Sequence, residues 1–234
     1  MQSIGLRELS RMRDAGFFTA IDTFEGGGTW RAFSVVSFPA GQMLFLESEL
    51  ASAFYFVLEG WVVLFREQES GTRAAIHLLG PNESFGEALI KEGSRYPVSA
   101  EAATPLELIR VDCRRFREQV LAQPQLALEI VEATLTKNKR LVDRILQDQT
   151  WSPHRRIAAF LCRFCPRSND RCEFTLPVEQ RFIAARLSMS PSTFSRSLGE
   201  LNHIGVVAQR GRITIRDACR LHRFVTEAAA QSDP

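Results

Sequence analysis

Ser192, Thr193, Ser195 and Arg196 follow Ser190-Pro191 in the run SPSTFSRSLGELNHIG. A serine N-cap and a proline at the first helical position predict a helix that runs to about His203, with Gly205 just past its end. The four side chains then occupy its first two turns. An arginine fork can donate to both acceptors of a guanine edge, and short hydroxyls reach phosphate or a base at close range. These residue types at this spacing point to nucleic-acid reading rather than to bond-making chemistry. Arg210 and Arg212 flank Gly211 at the tip of an expected hairpin, Val206–Gln209 with Arg212–Arg216, and suit phosphate or minor-groove contact. The other chemistry-bearing set is Cys162, Cys165 and Cys172, spaced C-x2-C-x6-C. A zinc site needs four ligands or an open position, and no histidine is close in sequence. No metal is therefore assigned, and core or half-buried thiols are expected, with a redox or metal role as the alternative.

These residues need elements to hold them. Ser152-Pro153 starts a helix carrying Ile157, Ala158, Phe160 and Leu161. Pro166–Arg171 reads as a polar loop, Phe174–Pro177 leads into a helix over 178–187, and Ser188–Ser190 is a turn. A last helix spans 217–226. Helix, tight turn, helix, then a hairpin with arginines at its tip is a winged helix-turn-helix, whose second helix enters the major groove.

Before this lies PQLALEIVEATLTKNKRLVDRILQDQ, with Pro124 at its first turn. Leu128, Val131, Leu135, Asn138, Val142, Ile145 and Gln149 step by three and four, a heptad seam of about three repeats. Two parallel copies would bury it and pair Asn138 with its mate, which fixes register. The alternative is a core helix of a monomer. A second stripe, Leu126, Ile130, Ala133 and Leu141, is expected to pack on the helix's own domain.

Earlier still, short apolar runs stand between Gly and Pro breaks: residues 30–38, 42–47, 54–59, 61–66, 73–79, 96–103 and 106–111. They predict an antiparallel roll or barrel. Residues 3–14, with Ile4, Leu6, Leu9 and Met12, predict a short helix, and the Gly-rich stretch 22–29 a turn. The fold class is α+β in three parts: a roll over 1–123, a dimerisation helix over 124–150 and a winged helix-turn-helix over 151–234.

Charge supports that division. The 234 residues carry a formal net charge of +2. Up to Thr150 there are 16 Lys+Arg against 20 Asp+Glu; beyond it there are 13 Arg, no Lys and 7 Asp+Glu, so the parts carry −4 and +6. A basic C-terminal part suits a nucleic-acid partner. At 45% hydrophobic, the composition excludes a disordered, collagenous or disulfide-scaffold chain. No apolar run approaches the ~18 residues of a membrane span, and the start lacks the apolar stretch of a signal peptide. Five scattered cysteines, an odd number, favour a reducing cytoplasm.

Three blocks in order carry a resemblance: FPAGQMLFLESELASAFYFVLEGWVVLF, LLGPNESFGEALI with SRYPVSAEA, and RRIAAFL with FTLPVEQRFIAARLSMSPSTFSRSLGELNHIGVV. Over roughly 30–225 the chain resembles the CRP/FNR superfamily, the cyclic AMP receptor protein and fumarate–nitrate reductase regulators. The resemblance implies a cyclic-nucleotide-binding-like roll and a homodimeric bacterial regulator on a palindromic promoter site. It also implies RNA polymerase as a partner and no membrane. FGEAL, RYPVSAEA and PSTFSR look most like the Dnr-type branch, which implies nitric oxide sensed through haem.

The resemblance also supplies effector-pocket candidates. Gly86 and Glu87 match the family's Gly-Glu pair, Arg95 its phosphate-binding arginine, and Leu141 and Val142 its base-contacting helix positions. Yet Arg95 is followed by Tyr96-Pro97, bulky and rigid, and Leu141 and Val142 are apolar, so a cyclic nucleotide is disfavoured. Glu87 and Arg95 then read as an inherited structural pair. An iron–sulfur cluster needs N-terminal cysteines, and the first here is Cys113. Haem ligands would come from Met43, His77 or Tyr96, His77 reading more simply as a half-exposed strand residue. A β-roll oxygenase would need two or three converging histidines, and His77 stands alone there, so no catalytic residue is assigned. A nucleotide module serving a partner protein leaves the winged helix unexplained.

Overall fold

The alternation inside one strand explains how the roll is built. Strand β4 (Ala53–Glu59, AFYFVLE) is buried at every position but the last. Its even residues Phe54, Phe56 and Leu58 join a core with Ile109, Val111, Phe116 and Leu126. Its odd residues Ala53, Tyr55 and Val57 join another with Phe45, Phe85, Tyr96 and Leu108. Successive strand side chains point to opposite faces, and both faces of this sheet are covered, one by helices and one by the roll interior. An apolar residue at every position is the result.

The computed structural model describes residues 2–3, 10–12, 32–68, 73–168 and 170–230. It divides into two units, Met1–Arg140 and Leu141–Pro234. In the first, β1 (Gln2–Ser3), β2 (Phe33–Phe38), β9 (Leu106–Asp112), β4 and β7 (Ser84–Phe85) form one sheet in that order. The second sheet runs β3 (Met43–Phe45), β8 (Ser99–Ala102), β5 (Val62–Glu67), β6 (Arg73–Leu79). All the pairings are antiparallel, as expected for a roll.

Two expectations change here. Ser3 pairs with Ser34 as strand, where the periodicity predicts helix. Helical backbone is present over 10–12, with Met12 buried, while Ile4, Leu6, Leu9 and the Gly-rich stretch lie outside the described residues. Helix α1 (Cys113–Ala122) has no counterpart among the sequence expectations. Asp112 caps it, accepting from the Arg115 N–H at 3.0 Å, and Phe116 sits edge-on to Phe33 and Phe54.

Helix α2 (Pro124–Thr150) has the expected bounds. Leu126 is 2% exposed and Ile130 packs against the same core, which confirms the start of the inner stripe; Leu141, at 46%, does not belong to it. The seam is open: Leu128, Val131, Leu135, Val142 and Ile145 are all 54–61% exposed. They are not the core of a monomer.

The second unit holds α3 (Pro153–Cys162), β10 (Cys172–Thr175), α4 (Gln180–Arg186), α5 (Pro191–Glu200), β11 (Val206–Gln209), β12 (Arg212–Ile215) and α6 (Ala218–Ala230). Ser152 caps α3 with Pro153 in its first turn, as the sequence predicts. The hairpin gains a third strand, β10, paired with β12 from Cys172↔Ile215 to Thr175↔Arg212. That strand returns residue 172 to the end of α3. The expectation of three thiols is corrected accordingly: Cys165 and Cys172 form a disulfide, and Cys162 stays free.

Candidate nucleic-acid interface and signal site

Helix α5 is amphipathic in the way a reading helix must be. Phe194, Ser197 and Leu198 are buried, while Ser192, Ser195 and Arg196 are exposed and Thr193 is half-buried. Ser190 caps it, accepting from the Thr193 N–H at 3.1 Å, and its hydroxyl lies 2.9 Å from the hydroxyls of Ser192 and Thr193. The first turn is thereby ordered and hydroxyl-rich, its Phe194 N–H donating to the Ser190 carbonyl at 2.9 Å. Arg196 makes no ion pair or hydrogen bond among the described residues.

The turn before α5 is clamped. Ser188 leaves α4 with φ 52, and the Met189 N–H donates back to the Ala184 carbonyl at 3.0 Å. Arg156 of α3 donates to the Leu187 carbonyl at 2.6 Å and to that of Ser188 at 3.2 Å. The Ser188 hydroxyl donates to Asp148, in the last turns of α2, at 2.8 Å, and Arg156 stands 3.8 Å from the same carboxylate. Sequence reading passed over Asp148 and Arg156, because nothing in their spacing signals a tertiary clamp.

The wing tip is a two-residue hairpin turn. Arg210 (φ 48) and Gly211 (φ 81) both take positive φ, as a type I′ turn requires. A left-handed arginine is uncommon, and its exposed side chain is presented at the tip. The outer face of the three-stranded sheet forms a cleft of about 200 Å³ lined by Arg171, Arg212, Arg216, Gln209, Thr214 and Val207. Arg212 also pairs with Glu173 at 2.9 Å. Arg171 joins this face through β10, which the two-strand reading lacked, whereas Arg216 continues the hairpin strand and its N–H donates to the Gly205 carbonyl at 3.0 Å.

In the roll, Gly86 (φ 86) opens a 3-10 turn, Glu87–Ile90, and a Cβ there would meet Phe54 at 3.4 Å. The Glu87 carboxylate accepts from the Lys137 ammonium of α2 at 2.7 Å, and Lys137 also donates to the Ser84 carbonyl at 3.2 Å. Arg95 is exposed and donates to the Ser48 carbonyl at 2.7 Å. Next to it, Tyr96 turns inward and is 3% exposed. Its hydroxyl donates to the Ala53 carbonyl at 2.6 Å and accepts from the Ala53 N–H at 3.3 Å. Its ring stacks on Phe45 at 3.6 Å, and Phe45, Tyr55 and Phe85 continue the stack. Burial holds the Tyr96 phenol well above its usual range.

Glu87 and Arg95 are thus committed to different protein groups and do not pair with each other. Leu141 and Val142 are 46% and 55% exposed. With aromatic rings filling the interior beside Tyr96, the roll's Glu87, Arg95 and Tyr96 do not fit a cyclic nucleotide. Among the described residues no cluster of His, Cys, Asp or Glu could hold a metal ion. Met43 and His77 lie on β3 and β6, opposite edges of one four-stranded sheet. Three strand spacings of ~4.8 Å separate them, about 14 Å, so they do not converge on one haem.

Residues 35–123 match the cyclic nucleotide-binding domain model, and 155–224 match the Crp-like helix-turn-helix domain model. The cyclic AMP receptor protein of Thermus thermophilus is 32% identical over 192 residues, covering 80% of this chain and 86% of its own. The chain belongs to the CRP/FNR family of transcription regulators. A solved regulatory protein from Silicibacter pomeroyi superposes with a TM-score of 0.76 at 30% identity, over 93% of this chain and 97% of its own. DNR from Pseudomonas aeruginosa, at 22% identity and a TM-score of 0.56, covers 95% of this CRP/FNR chain and 100% of its own, and shows a shared fold. The family relation makes the helix-turn-helix of this regulator a DNA-binding element, and its roll a cyclic-nucleotide-binding-type sensing domain. No described helix of it is long and apolar enough to cross a membrane.

Proposed function

We propose that this regulator is a homodimer that binds a palindromic promoter site, each subunit placing α5 in a major groove and its wing on the flanking phosphates. The observation that carries this reading is the polar outer face of α5, with Arg196 unpaired among the described residues above a buried Phe194 and Leu198. The open seam of α2 supports the dimer, and the +6 of the C-terminal part supplies phosphate attraction. RNA polymerase is the further partner and the cytoplasm the place of action. Gel-shift on duplexes selected from a random library tests it: a two-fold symmetric consensus is expected, and retention of no sequence above background would refute it.

The resemblance to CRP/FNR regulators implies E-x-x-S-R here, and this chain has Ser192 at the place of the Glu. A glutamate can accept from cytosine N4, whereas serine reaches less far. A Ser192→Glu variant is expected to shift preference at one base pair of each half-site by on the order of 1–3 kcal/mol. Parallel selections with both proteins check this, and identical motifs would count against it.

For the signal, the inward Tyr96 favours an effector other than a cyclic nucleotide. Calorimetric titration with cyclic AMP is expected to give no binding heat. The Dnr-type reading, nitric oxide through haem, rests on FGEAL, RYPVSAEA and PSTFSR. Its ligand candidates are spread over the roll, and the Tyr96 hydroxyl is already bonded to Ala53. Haem titration is expected to give no protein-bound Soret band; a sharp band lost on replacing His77 would restore that reading.

A further inference from the structure

Four of the five cysteines lie in the DNA-binding unit, and two of them are bonded. Cys165 follows the last turn of α3 and is fully buried; Cys172 opens β10 at 9% exposure. The bond closes a ring over a separation of seven residues. The described residues between them are exposed and include Arg167 and Arg171. The ring is stitched to α6: the Ala218 N–H donates to the Asp170 carbonyl at 3.1 Å, and His222 Nε2 lies 2.8 Å from the Cys165 carbonyl. On its other side β10 pairs with β12, and the next residue, Leu176, donates its N–H to the carbonyl of Gly211 at the wing tip at 2.8 Å. The covalent tie therefore holds α3, the edge of the wing sheet and the tip in one chain of contacts.

We infer that Cys165–Cys172 is a thiol–disulfide modification site that sets how firmly the wing is held for DNA. A dithiol reductant attacks the bond, the S–S bond breaks, each cysteine ends as a thiol, and the two electrons and two protons leave the reductant as its own disulfide. A disulfide within a regulator of the cytoplasm meets such dithiols continually. Cys162, three residues before Cys165, does not compete as a partner: burial pushes its thiol up to about 11, so little thiolate exists near neutrality. Reduction frees β10 from α3. The wing must then be ordered during binding, and affinity falls by the cost of that ordering.

This inference rests on the DNA-binding reading for its consequence, and the test separates the two. Full-length protein is equilibrated in mixtures of reduced and oxidised dithiothreitol, from reducing to oxidising, and alkylated after denaturation. Three alkyl groups are expected on the bonded form and five on the reduced form, with no four-group plateau. Amide exchange over 206–215 is expected to quicken on reduction. A bond that never reduces, or wing amides indifferent to it, would overturn the switch whether or not DNA binds. On a selected duplex at fixed salt, the reduced form should bind about five- to twentyfold more weakly, and a C165S/C172S variant should ignore the reductant. Equal affinities in both forms would also overturn it. Binding of no duplex by either form would instead sink the DNA-binding reading, while alkylation and exchange still decide the switch.

Discussion

A Leu135→Glu variant is expected to sediment as a monomer of about 26.4 kDa at concentrations where the wild type is a dimer. Leu135 is 61% exposed on a seam whose neighbours Val131 and Val142 are 54% and 55% exposed. Fully burying a leucine contributes about 1.5–3 kcal/mol. A symmetric dimer loses that twice in the variant and brings two carboxylates together at the axis. The combined loss, on the order of 4 kcal/mol, is roughly a thousandfold in dimer dissociation constant. Leu126 lies on the opposite stripe and is 2% exposed, so the roll should keep its fold. Unchanged far-ultraviolet dichroism with a halved mass is the expected pair of results. A variant that stays dimeric would place the interface elsewhere. Asn138 gives a subtler control: Asn138→Leu should tighten the pair and loosen its register.

Replacing Arg196 by alanine is expected to cost about 1–3 kcal/mol per half-site, and so about 2–6 kcal/mol, roughly thirtyfold to ten-thousandfold, on a full palindrome. The loss should fall on specific sequence only. Arg196 is exposed and makes no ion pair among the described residues, while Phe194 and Leu198 secure the helix from beneath, so truncation should leave folding intact. Arg212→Ala makes the contrast. It removes a wing cation half-occupied by Glu173, should weaken all sequences alike, and should lower the salt slope by about one. Anisotropy titrations at several salt concentrations separate the two signatures. Equal specific affinity for Arg196→Ala and wild type would mean that another element reads the bases.

Local patterns explain what was legible beforehand. The bounds of α2 follow from Pro124 and a run free of Gly and further Pro, and the hairpin from Arg210-Gly211 between apolar pairs. The reading helix announced itself through Ser190-Pro191. What stayed hidden was non-local. Strand β10 is four residues whose only reason to be strand is the free edge of β12. Its absence from the reading concealed the Cys165–Cys172 bond, and with it the place of Arg171. The roll's site failed differently. Gly86, Glu87 and Arg95 are where the motif puts them, but their partners, Lys137 and the Ser48 carbonyl, are 50 and 47 residues away in the chain. Tyr96-Pro97 signalled trouble for a nucleotide through bulk. That the ring would turn inward and stack on Phe45 needed the pleat of the roll to be known.

The Asp148–Ser188–Arg156 clamp fixes more than a turn. It ties the last turns of α2 to the turn that leads into the reading helix. In a paired molecule the two long helices would then act as the legs of a caliper. A change in the splay of their ends would then reach the gap between the reading helices, which on a palindrome would match one helical repeat of DNA, about 34 Å. On that view the measuring edge of this regulator is a three-residue polar contact, and a signal need only alter an angle, without rebuilding a surface.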